Sequence, residues 1–355
     1  MNIQQQIQNL LKQATEATPG LGLQFCVFQN GKCIVDLFSG DAAFDGSKKV
    51  DKNTLFPIYS TSKSVPATAL VRLVNQGKVS LDQFVTDFWS EFGKNGKEKT
   101  KVLHLLNHTS GLPQRFQEQS SYEAIADWDT MIHAIENTPC DWTPGTKTRY
   151  QSLTYGWVTA ELIQRITNTS FIDYISSELG FSSSGNFVFG LNDETEKLTS
   201  DFKLASNKPQ SASFSKCDPL DDLMKNNLVR RMVQPGFNGF ASAYGLASFM
   251  NDVVNCKFYD QEHLNLAAST KFRPDQGTPV NNCTMFGLGY ALSGPADDPG
   301  LFFGHGGYGG TEVIANRDNK TVCAFTTNIL SGAEKVKGDL LALFDMQQRV
   351  GWEIV

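Results

Sequence analysis

Basic side chains never cluster in this 355-residue chain: the 31 Lys and Arg form no run longer than a pair such as Arg230 and Arg231, against 37 Asp and Glu, for a net charge of −6. That balance argues against a nucleic-acid partner. No stretch approaches the roughly 18–20 uncharged apolar residues of a membrane span, and the opening MNIQQQIQNLLKQATEA lacks the charged-then-apolar layout of a signal peptide. We therefore expect a soluble, non-exported, cytoplasmic protein with no membrane span. The seven cysteines, at positions 26, 33, 140, 217, 256, 283 and 323, are odd in number and lack CxxC spacing. They suit neither a disulfide framework nor a zinc knuckle, and free, mostly buried thiols are expected. The absence of a GxSxG elbow and of a GxxxxGK[ST] loop removes support for an α/β-hydrolase and for a P-loop nucleotide enzyme.

What is present is enough apolar residue, 40% of the chain, for a large core, and a length that implies two domains or one with an insertion at about 150 residues per domain. Ile3, Ile7, Leu10, Leu11 and Ala14 recur at helical spacing up to Pro19 and Gly20. GLQFCVFQ and KCIVDLFSG then flank Asn30 and Gly31, the dipeptide that most readily makes a tight hairpin. From Thr61 to about Pro274 the pattern is largely helical, with one stripe at Ala67, Leu70, Val71 and Val74 stopped by Gly77 and another at Val158, Leu162 and Ile166. Polar stretches at 112–124 and roughly 182–219 interrupt it, and loops of that length are expected over a cleft. Strand patterns return in GLGYALSG, LFFGHGG, TEVIANR and TVCAFTTN, followed by a helix bearing Val336, Leu340, Leu343 and Phe344. The two ends can share one antiparallel sheet only if the middle is inserted. The expectation is an α+β fold: 1–59 plus 275–355 as a discontinuous sheet domain flanked by terminal helices, 60–274 as a mostly helical inserted domain, and the active site at their interface.

Three short motifs carry chemistry. In FPIYSTSKS, Ser60 and Lys63 stand three apart, so a helix starting there would put the amine within reach of the hydroxyl; a helix cap followed by a solvated lysine is the plainer alternative. Pro66 sets a condition on the first reading, because a helix beginning only near Ser64 would separate the pair from a shared α-helical face. Ninety residues later come Tyr150, Gln151 and Ser152, and further on GHGGYGG places His305, Gly306 and Gly307 at the end of a strand. His104 and His108 have the spacing of a zinc-binding helical face, but Leu105 stands where a zinc protease needs glutamate, and no metal site is expected.

With the stretches NQGKVSLDQFV, LLNHTSGLP, WTPG and FGLGY, these motifs resemble the β-lactamase-related serine hydrolases, the class C β-lactamase-like group that includes family VIII carboxylesterases, D-aminopeptidases and acyltransferases. The resemblance spans roughly residues 20–330 and implies a β-lactamase/transpeptidase-like fold. It also implies that Ser60 is the nucleophile, Lys63 its proton partner and Tyr150 the phenol that moves protons at the leaving group. The oxyanion hole would be the backbone N–H groups of Ser60 and Tyr308. His305, Gly306, Gly307 and Ser152 would line the substrate, and no cofactor or metal is called for. His305 stands where lactamases use lysine, and Ser152 where they use asparagine. Both departures point to small acyl esters, with β-lactamase, D-amino-acid peptidase or amidase, and acyltransferase activity as alternatives. A catalytically silent ligand-binding or self-assembling scaffold is the non-enzyme alternative. The expected partner is a small-molecule ester or amide.

Overall fold

The computed structural model describes residues 2–114, 121–182, 185–206, 220–269 and 285–346. Much of the two polar stretches expected over a cleft, together with Pro274, Cys217 and Cys283, lies outside the described residues.

Strands from both ends of the chain build one seven-stranded sheet. Its order is Lys32–Gly40, Gly22–Gln29, Thr321–Thr327, Glu312–Asn316, Phe302–Gly306, Ala291–Ser293, Met285–Phe286, and every neighbouring pair is antiparallel. Gln29 pairs with Lys32 across Asn30 and Gly31, whose φ angles of 49° and 79° are the two positive values of a type I′ turn. Alternation along the strands then sorts side chains to two faces. Phe25, Val27, Ile314, Cys323 and Phe325 pack with Ile7, Leu11 and Leu340 of the terminal helices Ile3–Ala17 and Glu334–Ala342. Cys26, Phe28, Val313, Ala315, Val322 and Ala324 belong instead to the larger core that holds the helix Ala243–Val254.

The middle of the chain contains the helices Ser64–Asn75 and Thr154–Thr167 at the two expected stripes. It is not purely helical. Phe187–Phe189 and Gly239–Ala241 join Phe56–Pro57 in a three-stranded antiparallel sheet, and Lys203–Leu204 pairs in parallel with Ile329–Leu330. Strands of two or three residues are too short to show alternation in a sequence. The five described cysteines are free, as expected, but they are not mostly buried: Cys26 and Cys323 are buried, Cys140 and Cys256 half-buried, and Cys33 exposed. Cys33 lies on the edge strand, where one side of the sheet has no neighbour to cover it. Among the described residues no helix is long and apolar enough to cross a membrane.

Candidate active site

The α-helix does begin at Ser64, yet Ser60 and Lys63 are together. Residues Tyr59–Lys63 form a 3-10 turn ahead of it, and in that geometry side chains three apart eclipse. Lys63 Nζ lies 3.2 Å from Ser60 Oγ. Pro66 becomes the third residue of the α-helix, inside the first turn, where N–H groups lack intrahelical acceptors and a missing donor costs little. The turn is held from outside: Ile58 N donates to Gly239 O at 3.0 Å, and Gly239 N to Ser62 Oγ at 3.0 Å. These bonds keep Tyr59, buried and at φ 46°, in a backbone region that bulky residues rarely occupy.

Lys63 is fully buried, and among the described residues its hydrogen-bond partners are neutral oxygens: Ser60 Oγ, Ser152 O at 2.7 Å and Gly236 O at 2.6 Å. Burial without a counter-charge holds its pKa well below the usual lysine value. As an ammonium it donates to all three oxygens. As a neutral amine it has two N–H bonds for the two carbonyls and a lone pair left over, which faces the serine hydroxyl. The Gly236 carbonyl is presented by a buried side chain: Gln234 Oε1 accepts from Gly236 N at 2.6 Å while Gln234 Nε2 donates to Leu153 O at 2.8 Å. Neither Gly236 nor Gln234 was singled out from the sequence. The turn-rich run Gln234-Pro-Gly-Phe-Asn-Gly was the signal that could have flagged them.

Tyr150 brings its ring centroid to 5.0 Å from Lys63 Nζ and stacks on Phe286 at 5.6 Å. Burial pushes its phenol pKa up, and proximity to Ser60 partly opposes that. The hydroxyl is buried without a full hydrogen bond among the described residues. His305 is buried 6.0 Å from the Tyr150 ring, with Nδ1 at 2.7 Å from Gly306 O. Burial first, and the nearby Lys63 second, lower its pKa to about 3 against the opposing Gly306 bond, so it stays uncharged near neutrality.

The strand carrying His305 and Gly306 presses against the Ser60 turn. A Cβ on Gly307 would sit 2.2 Å from Ile58 O and 2.9 Å from Thr61 Oγ1, so only glycine fits. Gly307 N already donates to Thr311 O at 2.7 Å, and the next residue, Tyr308, sets its ring against Tyr59 with centroids 5.5 Å apart. Ser152 turns its backbone carbonyl to Lys63. Its hydroxyl and N–H instead both donate to Gln114 Oε1, at 2.6 and 2.8 Å, and Gln114 Nε2 donates to Tyr150 O. Gln114 too went unnoticed in the sequence. The fold thus gathers Ser60, Lys63, Tyr150, Ser152, His305, Gly306, Gly307 and Tyr308 at one place.

The histidine pair separates. His104 lies on the short helix Val102–Leu106, where its Nδ1 accepts from Lys101 N at 3.2 Å, while His108 lies beyond the helix end at φ 60°. Among the described residues no three His, Cys, Asp or Glu side chains gather as metal ligands.

Comparison with known proteins bears on the family and the fold. The esterase/beta-lactamase LipL of Mycobacterium tuberculosis is 27% identical over 150 residues, covering 41% of this chain and 33% of that protein, so the match spans about a third of that relative's length. A penicillin-binding protein homologue from Caulobacter crescentus superimposes with TM-score 0.77 at 24% identity, covering 91% of each chain. A family VIII carboxylesterase does so with TM-score 0.78 at 18% identity, covering 95% of this chain and 97% of its own. Identities this low speak for the fold. The Beta-lactamase family model matches residues 7–347, nearly the whole length, and the chain belongs to the beta-lactamase family.

Proposed function

We propose that this protein hydrolyses small, uncharged acyl esters through an acyl-enzyme on Ser60. The observation that carries the reading is the amine of Lys63, buried among neutral oxygens and 3.2 Å from the Ser60 hydroxyl. In the first half-reaction neutral Lys63 takes the hydroxyl proton as Ser60 Oγ bonds to the ester carbonyl carbon. The backbone N–H groups of Ser60 and Tyr308 receive the new oxyanion. The tetrahedral intermediate collapses as the C–O bond to the alcohol breaks, and the departing oxygen takes a proton delivered through Tyr150. In the second half-reaction water adds to the acyl carbon, gives a proton to the same groups, and releases the acid and free Ser60.

The preference for uncharged esters over lactams rests on His305. An uncharged imidazole offers a penicillin carboxylate no ion pair, and a charge-assisted hydrogen bond is worth about 1.5–3 kcal/mol, roughly ten- to a hundredfold in preference. A fluorophosphonate probe followed by peptide mapping is expected to label Ser60, with the label lost in Ser60→Ala and Lys63→Ala. Turnover of p-nitrophenyl acetate, butyrate and octanoate is expected to exceed that of nitrocefin. An absent label favours a silent scaffold, and faster nitrocefin turnover favours a lactamase.

The pH profile follows from the same charges. The neutral amine is the active form, so kcat/KM is expected to rise with pH through the lowered pKa of Lys63, and burial moves that limb to lower pH than a solvated lysine would give. Burial, with Lys63 nearby, lowers His305 to about 3, so it is expected to contribute no limb. The midpoint should therefore survive His305→Gln in an ester assay run across roughly pH 5–9. A limb near the ordinary histidine value that vanishes in this variant contradicts the assignment.

A further inference from the structure

The catalytic reading leaves one buried histidine unused. His108 holds the backbone on both sides of Tyr150. Its carbonyl oxygen accepts from Arg149 N at 3.1 Å and from Thr148 Oγ1 at 3.4 Å, and its Nδ1 accepts from Gln151 N at 3.2 Å. The ring also packs directly on the phenol, with centroids 5.0 Å from Tyr150, 5.0 Å from Tyr155 and 4.4 Å from Phe286, the residue on which Tyr150 stacks. His108 is itself buried with φ 60°, a left-handed conformation that is uncommon for residues other than glycine, although histidine is among those that enter it more readily. Among the described residues, Tyr59 and His108 are the aromatic side chains that hold such an angle beside the Ser60–Lys63–Tyr150 group.

We propose that His108 is a positioning residue for Tyr150, acting as a two-point clamp whose carbonyl and Nδ1 fix residues 149 and 151 and so set where the phenol stands relative to Ser60 and Lys63. The clamp requires one tautomer. A ring nitrogen that accepts a backbone N–H carries no proton, so the hydrogen sits on Nε2. Protonating the ring would convert the acceptor into a donor and break the Gln151 bond. Burial opposes that proton first and a charged Lys63 second, while His305 is uncharged near neutrality and Tyr150 and Tyr155 set their neutral phenol rings against the imidazole. His108 Nε2 is buried with no hydrogen-bond partner among the described residues, so the Gln151 bond and ring packing are what orient the imidazole.

The inference rests on the hydrolase reading, and the experiment separates the two. His108→Leu keeps apolar volume and removes the acceptor. His108→Asn keeps an acceptor, Oδ1, near the place of Nδ1 and tolerates the left-handed backbone. For an alkyl ester, whose alcohol must be protonated to leave, His108→Leu is expected to lower kcat about 10- to 100-fold with KM little changed, the scale of an ångström-sized misplacement. For p-nitrophenyl acetate, whose leaving group departs without a proton, the loss should be several-fold smaller. His108→Asn should recover most of the rate. In a Tyr150→Phe background His108→Leu should cost almost nothing further, because the group it positions is gone. Equal losses in both backgrounds, equal losses for both leaving groups, or an Asn variant as slow as Leu overturn the proposal. If His108→Leu does not fold, the wild-type protein labelled with nitrogen-15 histidine decides: His108 should show a bare Nδ1 and a protonated Nε2 throughout the active pH range, and a protonated Nδ1 refutes the clamp. Failure of the hydrolase reading looks different, because wild-type protein would then turn over neither ester.

Discussion

Ser60→Ala and Lys63→Ala are each expected to lower kcat/KM for p-nitrophenyl butyrate by at least about 1,000-fold, and the double variant to be hardly worse than either. The reason is that in the proposed mechanism nucleophile and base act as one unit. The serine hydroxyl is a poor nucleophile unless its proton has somewhere to go, and among its described neighbours the Lys63 amine is the group placed to take it. Lys63→Ala should not be mistaken for a folding defect. It removes a buried, desolvated amine, but it also leaves the carbonyls of Ser152 and Gly236 without their donor. The melting temperature is therefore measured alongside the rate. Losses that multiply in the double variant would show that the two side chains act independently and would remove the basis of the acyl-enzyme reading. Lys63→Arg should not rescue, since a guanidinium stays charged at every working pH and has no lone pair for the serine proton.

The second large effect comes from a residue with no side chain. Gly307→Ala places a methyl group 2.2 Å from the Ile58 carbonyl oxygen, a backbone atom that cannot swing aside, so the strand must lift away from the Ser60 turn. That movement separates the two backbone N–H groups assigned to the oxyanion. Loss of one such donor costs about 100- to 1,000-fold in kcat, and overpacking of this kind adds about 1–3 kcal/mol of destabilisation. Gly338→Ala is the matched control. It lies on the last helix with no atom within 4 Å of its would-be Cβ, so it should stabilise by about 0.5–1 kcal/mol and leave the rate alone. Steady-state kinetics and urea unfolding on both variants read the contrast. Full kcat in Gly307→Ala would remove the strand from the oxyanion site.

Several parts of this architecture were legible in the residues because the forces behind them are local. The Asn30-Gly31 turn needs two positive φ angles, and that dipeptide supplies them at little cost. Phe25 and Val27 were bound to face away from Cys26 and Phe28 once the segment was a strand. The three motifs could be found because each is a run of a few residues. Pro66 and Ser64 cast doubt on the Ser60–Lys63 pairing only under the assumption of an α-helix. A 3-10 turn restores it, and the choice between the two is made by the Gly239 strand that hydrogen-bonds Ile58 and Ser62 from far along the chain. The short strands in the helical middle escaped for a similar reason, since their stability comes from partners and not from their own periodicity.

Ser60 and Lys63 were written into the chain as a hydroxyl and an amine three residues apart, and so were the hairpin, the terminal helices and the two faces of the sheet. Whether that amine is solvated or buried among carbonyls was decided by tertiary structure. Its two carbonyl partners come from residues 89 and 173 positions away, and they are backbone atoms that leave no mark on residue identity. Desolvation sums over everything packed around a group, so the lowered pKa of Lys63 belongs to the folded chain and to no segment of it.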